Sequence, residues 1–170
     1  MNDNIEPVLS NSYFIYKDVR YEVEFYELLE EEKLPDLPWS QLYLVGNING
    51  KVPLVMYKSS KDNLPGGGIE QGETVEEALH REVLEELNMK VIDWIPLGYQ
   101  KNISENGDVY FQLRVYANLE NIDDFERDPG GSVIGHKLVN IDEINNYIQW
   151  GEVGDWLVCR TKQLYTHTKN

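Results

Sequence analysis

A single cysteine, Cys159, is all the 170-residue chain contains, which excludes an internal disulfide and any zinc site built on several thiolates. Cationic residues are scarce: 15 Lys+Arg stand against 30 Asp+Glu, a formal net charge of -15. Nucleic-acid binding rests largely on Lys and Arg displacing counterions. No duplex partner is therefore expected, and a phosphate would have to be met through a divalent cation. No stretch approaches the roughly 18 apolar residues of a membrane-spanning helix. The start MNDNIEPVLSNSYF has neither the basic opening nor the apolar block of a signal peptide. The expectation is a cytoplasmic protein with no membrane partner. Serine- and cysteine-nucleophile motifs and Walker-type phosphate loops are also missing, and His80, His136 and His167 lack paired ligand spacing.

Hydrophobic residues make up 41% of the chain and aromatic residues 11%, with 11 Tyr and 4 Trp. This is too apolar for a disordered acidic chain, and the size suits one domain. With no repeat or low-complexity linker, residues 1–38 are read as an N-terminal extension packed on a domain spanning 39–170. In the extension, YEVEFY alternates as a strand does, and LLEEEK reads as a solvated acidic face. QLYLVGNI and KVPLVMYK flank Asn49-Gly50, a dipeptide that tolerates the positive φ of a type I′ hairpin turn. SSKDNLPGGGIEQGE reads as a loop, WIPLGYQ, VYFQLRVYANL and GHKLVNI as strands, and NIDDFERDPGGS as a loop. IDEINNYIQW reads as a short helix capped by Asp142, and DWLVCRTKQLY as a closing helix. Strands surround one or two helices without regular alternation, which predicts an α+β class with a mixed sheet.

The clearest helix starts at Thr74. Thr74 and Glu77 have capping-box spacing, Val75, Leu79, Val83 and Leu87 form an apolar stripe, and Asn88 stands where a left-handed residue closes a helix. Residues 67–89 hold seven Glu and one Arg. At about 100° per residue, Glu82, Glu85 and Glu86 project from one sector. Two like charges about 5 Å apart repel by roughly 3 kcal/mol at an effective dielectric of 20, so such a trio must be solvated or bridged. A Glu-rich solvent face is one outcome; a hard divalent cation with oxygen ligands, Mg²⁺ or Mn²⁺, is the other. The glycines at 66, 67 and 68 favour the second, because they let backbone approach the helix entrance closely.

Gly67, Glu73, Arg81, Glu82, Val83, Glu85, Glu86 and Met89 together resemble the signature of the Nudix hydrolases, which cleave nucleoside diphosphates linked to other groups. Asn88 replaces the family's Gly, and Asn is the residue that best follows Gly into the left-handed conformation. The resemblance covers 23 of 170 residues and implies a Nudix-type α/β/α sandwich around a mixed β-sheet. It implies that Glu82, Glu85 and Glu86, with the backbone carbonyl of Gly66, bind Mg²⁺ or Mn²⁺. Gly67, Glu73 and Arg81 match structural positions, Arg81 clamping Glu73; for Arg81 the alternative is a solvated ion pair with Glu77 or Glu85.

The activity implied is attack of water on one phosphorus of a pyrophosphate bridge in a small-molecule nucleoside diphosphate derivative. The general base is sometimes the Glu of the Arg-Glu pair, here Glu82, and sometimes a later Glu, for which Glu120 and Glu126 are candidates. Lys58 is a candidate phosphate contact. Tyr43, like Trp39 and Tyr110, is either a base-stacking ring or sheet packing. Beyond the box, Ser104, Glu105 and Asn106 occupy the region where a Pro marks many ADP-ribose hydrolases and a Tyr many diadenosine polyphosphate hydrolases. A nucleotide, modified nucleotide or nucleotide sugar stays open. The competing class is a Nudix-like domain that binds a nucleotide or protein without hydrolysis. Residues 1–38 carry 10 acids and 3 bases, an excess consistent with solubility, a homodimer contact or a substrate lid.

Overall fold

The computed structural model describes residues 6–29, 33–58, 61–122 and 132–167. The chain runs through β1 (Leu9–Tyr16), β2 (Val19–Glu27), β3 (Trp39–Asn47), β4 (Val52–Tyr57), β5 (Gly66–Gly68), α1 (Val75–Leu87), β6 (Met89–Ser104), β7 (Val109–Asn121), β8 (Val133–Val139), a 3₁₀ helix (Ile141–Asn146) and α2 (Gly151–His167). Six strands form one sheet in the order β1-β2-β6-β7-β3-β5, and β4 and β8 form a two-stranded sheet. β3 runs parallel to β7, while β1 with β2, β2 with β6, β6 with β7 and β3 with β5 are antiparallel. The class is α+β with a mixed sheet between helical layers.

Side-chain alternation along the strands divides the apolar residues between two cores. On one face Leu42, Leu44, Leu113, Val115 and Ala117 pack with Ala78, Leu79, Val83 and Leu87 of α1. On the other, Phe25, Val45, Leu97 and Tyr116 pack with Ile144 and Ile148 and with Val153 and Leu157 of α2. The stripe on α1 is fully buried at Leu79, Val83 and Leu87. Burial of each such side chain is worth about 1.5–3 kcal/mol, which anchors α1 with its glutamates held in fixed positions.

The helix ends follow their local chemistry. Thr74 and Glu77 form a reciprocal capping box, and Asn88 closes α1 at φ 53° and ψ 43° with its N–H bonded to Leu84 O. Elsewhere the structure corrects the sequence reading. Asn49 and Gly50 adopt the positive φ of a tight turn, and Ile48 and Lys51 bridge. The strands on either side then part, β3 into the large sheet and β4 into pairing with β8. Gly66–Gly68, expected as loop, is a short strand on β3. The helix expected to start at Asp142 is a 3₁₀ turn capped by Asn140, whose N–H and side-chain amide both donate to Glu143; Asp142 pairs with Lys162 instead. β1 was not foreseen as a strand; it pairs with β2 across a turn in which Lys17 and Asp18 both have positive φ.

Candidate functional site

The site begins where β5 meets α1. Gly66 has φ 139°, and a Cβ there would lie 2.2 Å from Leu42 O. Its N–H donates to Glu86 Oε2 at 2.8 Å. At Gly67 a Cβ would lie 2.6 Å from Glu82 Oε1, so the missing side chain is the space the Glu82 carboxylate occupies. Glu82 and Glu86 are each 7% exposed, while the Glu85 side chain is 36% exposed.

Arg81 ties this loop to the helix. Its Nε and Nη2 donate to the two oxygens of Glu73 at 2.8 and 2.9 Å, Nη2 also to Gly68 O at 2.8 Å, and Nη1 to Glu82 Oε1 at 2.7 Å. A forked guanidinium–carboxylate pair is both stronger and more directional than a single bond. Arg81 holds the Glu73 carboxyl below the usual range. Glu82 is shifted the other way, burial outweighing the Arg81 hydrogen bond and raising its proton affinity. Glu82 thus faces Arg81, Glu86 faces the Gly66 amide, and among the described residues no three His, Cys, Asp or Glu side chains form a ready-made metal cluster. The donor set is nonetheless of the hard-oxygen kind that suits Mg²⁺ or Mn²⁺, with two of its carboxylates desolvated beside close-packed backbone.

A groove leads away from this corner across the α2-side face of the sheet. Gly68, Ser40, Gln41 and Tyr43 form one end, Asn102, Tyr110 and Gln112 the middle, and Phe14, Tyr16 and Tyr21 of the N-terminal hairpin the far wall, around about 610 Å³. Phe14 and Tyr21 stack with centroids 4.9 Å apart. Phe14, Tyr43 and Gln112 are shared with a second cavity of about 460 Å³ under the start of α2, where Gln100, Arg114 and Trp150 also stand. Tyr43 is thus at the junction, and burial raises its hydroxyl pKa.

The remaining sequence candidates lie elsewhere. Lys58 is exposed past the end of β4 and lines neither cavity. Glu120 is exposed and paired with Lys90 at 2.8 Å, next to the strand end that Asn88 O holds through Ile122. Glu126 lies outside the described residues. Trp39 packs edge-on against Tyr99 and Phe111 in the core. Sequence reasoning missed Arg114, Gln100 and Gln112. The available signal was a lone Arg inside the apolar run of β7, between Leu113 and Val115.

A family model described as NUDIX domain matches residues 42–157. No curated protein matches the chain. Among solved structures, the chain is similar to a Bacillus subtilis pyrophosphohydrolase, BsRppH, with 22% identity and a TM-score of 0.58 over 75% of this chain and 77% of that one. It is similar to a NUDIX hydrolase from Nitrosomonas europaea, with 22% identity and a TM-score of 0.60 over 75% and 90% of the two chains. An ADP compounds hydrolase aligns at 15% identity and a TM-score of 0.59 over 96% of each chain, so that likeness extends into the N-terminal segment. At these identities the likeness to each structure is one of fold.

Proposed function

The chain belongs to the NUDIX family, and from that premise we propose that it is a divalent-cation-dependent hydrolase cleaving the pyrophosphate linkage of a small-molecule nucleoside diphosphate derivative. The observation that carries the reading is the pair of buried carboxylates, Glu82 and Glu86, set against glycine backbone that leaves them room. A solvated acidic face would keep them in water, and the Arg81 guanidinium that meets Glu82 is already shared with Glu73, so burial of both carboxylates favours a further cation at the site.

Glu82, Glu85, Glu86 and the carbonyl of Gly66 would hold Mg²⁺ or Mn²⁺. When bound, the cation neutralises phosphate charge and makes water a better nucleophile. The chain's own residues supply the rest. Arg81 fixes the loop by gripping Glu73 and Gly68 O, which sets the distance between Gly67 and Glu82. Glu82 takes the proton from the attacking water at Oε2, the oxygen Arg81 does not hold. Glu120, tied to Lys90 in solvent, is the weaker candidate. The aromatic wall of Phe14, Tyr16, Tyr21 and Tyr110 offers ring faces to a nucleobase, which gives the N-terminal extension a part in substrate binding.

The test is a phosphate-release screen with Mg²⁺ and with Mn²⁺ over nucleoside di- and triphosphates, ADP-ribose, nucleotide sugars and dinucleoside polyphosphates. Release that depends on metal and stops in chelator is the expected result. Failure to hydrolyse any of these compounds, or hydrolysis that persists in chelator, overturns the reading.

A further inference from the structure

Arg114 is a buried cation whose counter-charge is missing from its surroundings. It is 3% exposed and sits on β7 facing away from α1, opposite Tyr43 in the β3 register. Nη2 donates to Gln100 Oε1 at 3.1 Å and Gln112 Oε1 at 3.0 Å, and Nη1 makes a long contact of 3.3 Å to the adjoining Leu113 O. The Nε N–H has no acceptor. Its other neighbours are aromatic: the guanidinium carbon lies 5.1 Å from the Tyr43 ring centre and 4.4 Å from that of Trp150. Among the described residues no carboxylate pairs with it. In a chain with twice as many acids as bases, Arg81 pairs with Glu73 and Glu82 and the partly buried Arg160 with Glu27.

Neutral amide oxygens and ring faces orient a guanidinium, but they leave its charge uncompensated. An arginine held in that way, on the wall of a cavity of about 460 Å³, is arranged for an anion that arrives from outside. The cavity also joins the groove leading to Gly68 and the α1 glutamates through Tyr43 and Gln112. We propose that the Arg114 cavity is an oxyanion subsite that takes a phosphate group on the part of the substrate remote from residues 82–86. The proposal rests on the hydrolase reading above and narrows its substrates to those with a further phosphate beyond the bridge that is cut. Gln100 and Gln112 act as positioning residues, since they fix the guanidinium plane, and Tyr43 and Trp150 pack beside it, their own ring centres 5.1 Å apart.

The experiment uses the full chain in chelator, so that binding is read without hydrolysis. Inorganic phosphate is titrated against wild type, Arg114→Met and Arg114→Lys by thermal shift, with chloride at matched ionic strength as the control and acetate as the carboxylate arm. Phosphate should raise the melting temperature of wild type above the chloride control. Arg114→Met should show no such rise, and Arg114→Lys, which keeps charge but not the fork, at least a tenfold weaker one. If Arg114→Met does not fold, Arg114→Lys alone decides. Equal phosphate responses in wild type and Arg114→Lys overturn the proposal, as does an acetate response equal to that of phosphate. With whichever compound the screen finds, Arg114→Lys should raise KM about tenfold with kcat little changed, provided the substrate carries the extra phosphate; equal effects on a substrate lacking it count against the subsite. Phosphate binding with no hydrolysis in the screen would sink the hydrolase reading and leave the anion site standing, so the two failures are separable.

Discussion

Three adjacent glycines give a test in which neighbouring substitutions of the same kind should fail in different ways. Alanine at Gly66 puts Cβ 2.2 Å from Leu42 O and 2.8 Å from Tyr43 Cα, at a φ of 139°. Backbone cannot yield as a side chain does, and overpacking combined with an unfavourable φ costs about 3 kcal/mol or more. For a domain of this size that is a fall in melting temperature of roughly 10 °C. Alanine at Gly67 meets Glu82 instead, with Oε1 at 2.6 Å. Restoring ordinary contact moves the carboxylate by about 0.8 Å, against the 2.7 Å bond from Arg81. The stability cost is only about 1 kcal/mol, yet a shift near 1 Å in a catalytic group costs on the order of 10²-fold in rate. Alanine at Gly68 has nothing nearer than Ser40 O at 4.0 Å and should change stability by about 0.5 kcal/mol or less. Thermal melts and kcat/KM on the best substrate of the screen read all three. Wild-type rates in Gly67→Ala, or equal damage in Gly68→Ala, would refute the argument that Gly67 exists to place Glu82.

Other perturbations follow from the same geometry. Glu85→Gln and Glu86→Gln should each lower metal-dependent turnover by about 10²-fold or more while circular dichroism stays unchanged; activity that survives in both variants and in chelator would remove the metal from the mechanism. Arg81→Lys loses the fork to Glu73 and should destabilise by about 1–3 kcal/mol, seen as a lower denaturation midpoint. Asn88→Val forces a β-branched residue into φ 53° and should lower the melting temperature by several degrees, at about 1–2 kcal/mol, whereas Asn88→Gly should be nearly neutral; equal effects would contradict the left-handed cap. Glu73 has a folded pKa below its unfolded one, so its stabilisation is complete above the unfolded value of about 4.3 and fades as pH falls through the folded value. Burial gives Glu82 the opposite sign, so acidification relieves it. Glu73→Gln should flatten the acid limb of a melting-temperature profile below about pH 4.3, and an unchanged limb would rule out the Arg81–Glu73 pair as its source.

What the sequence made legible was local. The cap at Thr74, the stripe on α1 and the left-handed Asn88 each depend on neighbours within a few residues, and the box glutamates inherit their common sector from helical geometry. The Asn49-Gly50 turn was equally local and formed. Its strands parted because which sheet a strand joins is decided by partners far along the chain, β7 for β3 and β8 for β4. Gly66–Gly68 read as loop because three glycines carry no side-chain pattern, though their backbone completes an edge of the sheet. At the 3₁₀ turn the cap expected at Asp142 lies two residues earlier, at Asn140, because the spacing of Asn140 to Glu143 sets up the reciprocal bonds that start the turn. Arg114 escaped notice because one polar residue in an apolar strand looks like an interruption until the opposite face is assembled from β6, β3 and the residues before α2.

The parallel seam between β3 and β7 also bears on how the molecule comes together. It pairs Leu42 with Leu113 and Leu44 with Val115, positions about 71 residues apart, whereas β6 and β7 meet across the short turn after Ser104. Closing a long loop costs chain entropy before any contact is gained, and such non-local pairing is what slows folding. β5 is held by β3, and β5 with α1 places Glu82 and Glu86. The placement of these two carboxylates therefore arrives with the slowest closure, while the aromatic wall of the β1–β2 hairpin depends on the antiparallel seam with β6. Substitutions along the β3–β7 seam should delay the onset of activity during refolding; substitutions in the edge hairpin should hasten unfolding and leave that delay unchanged.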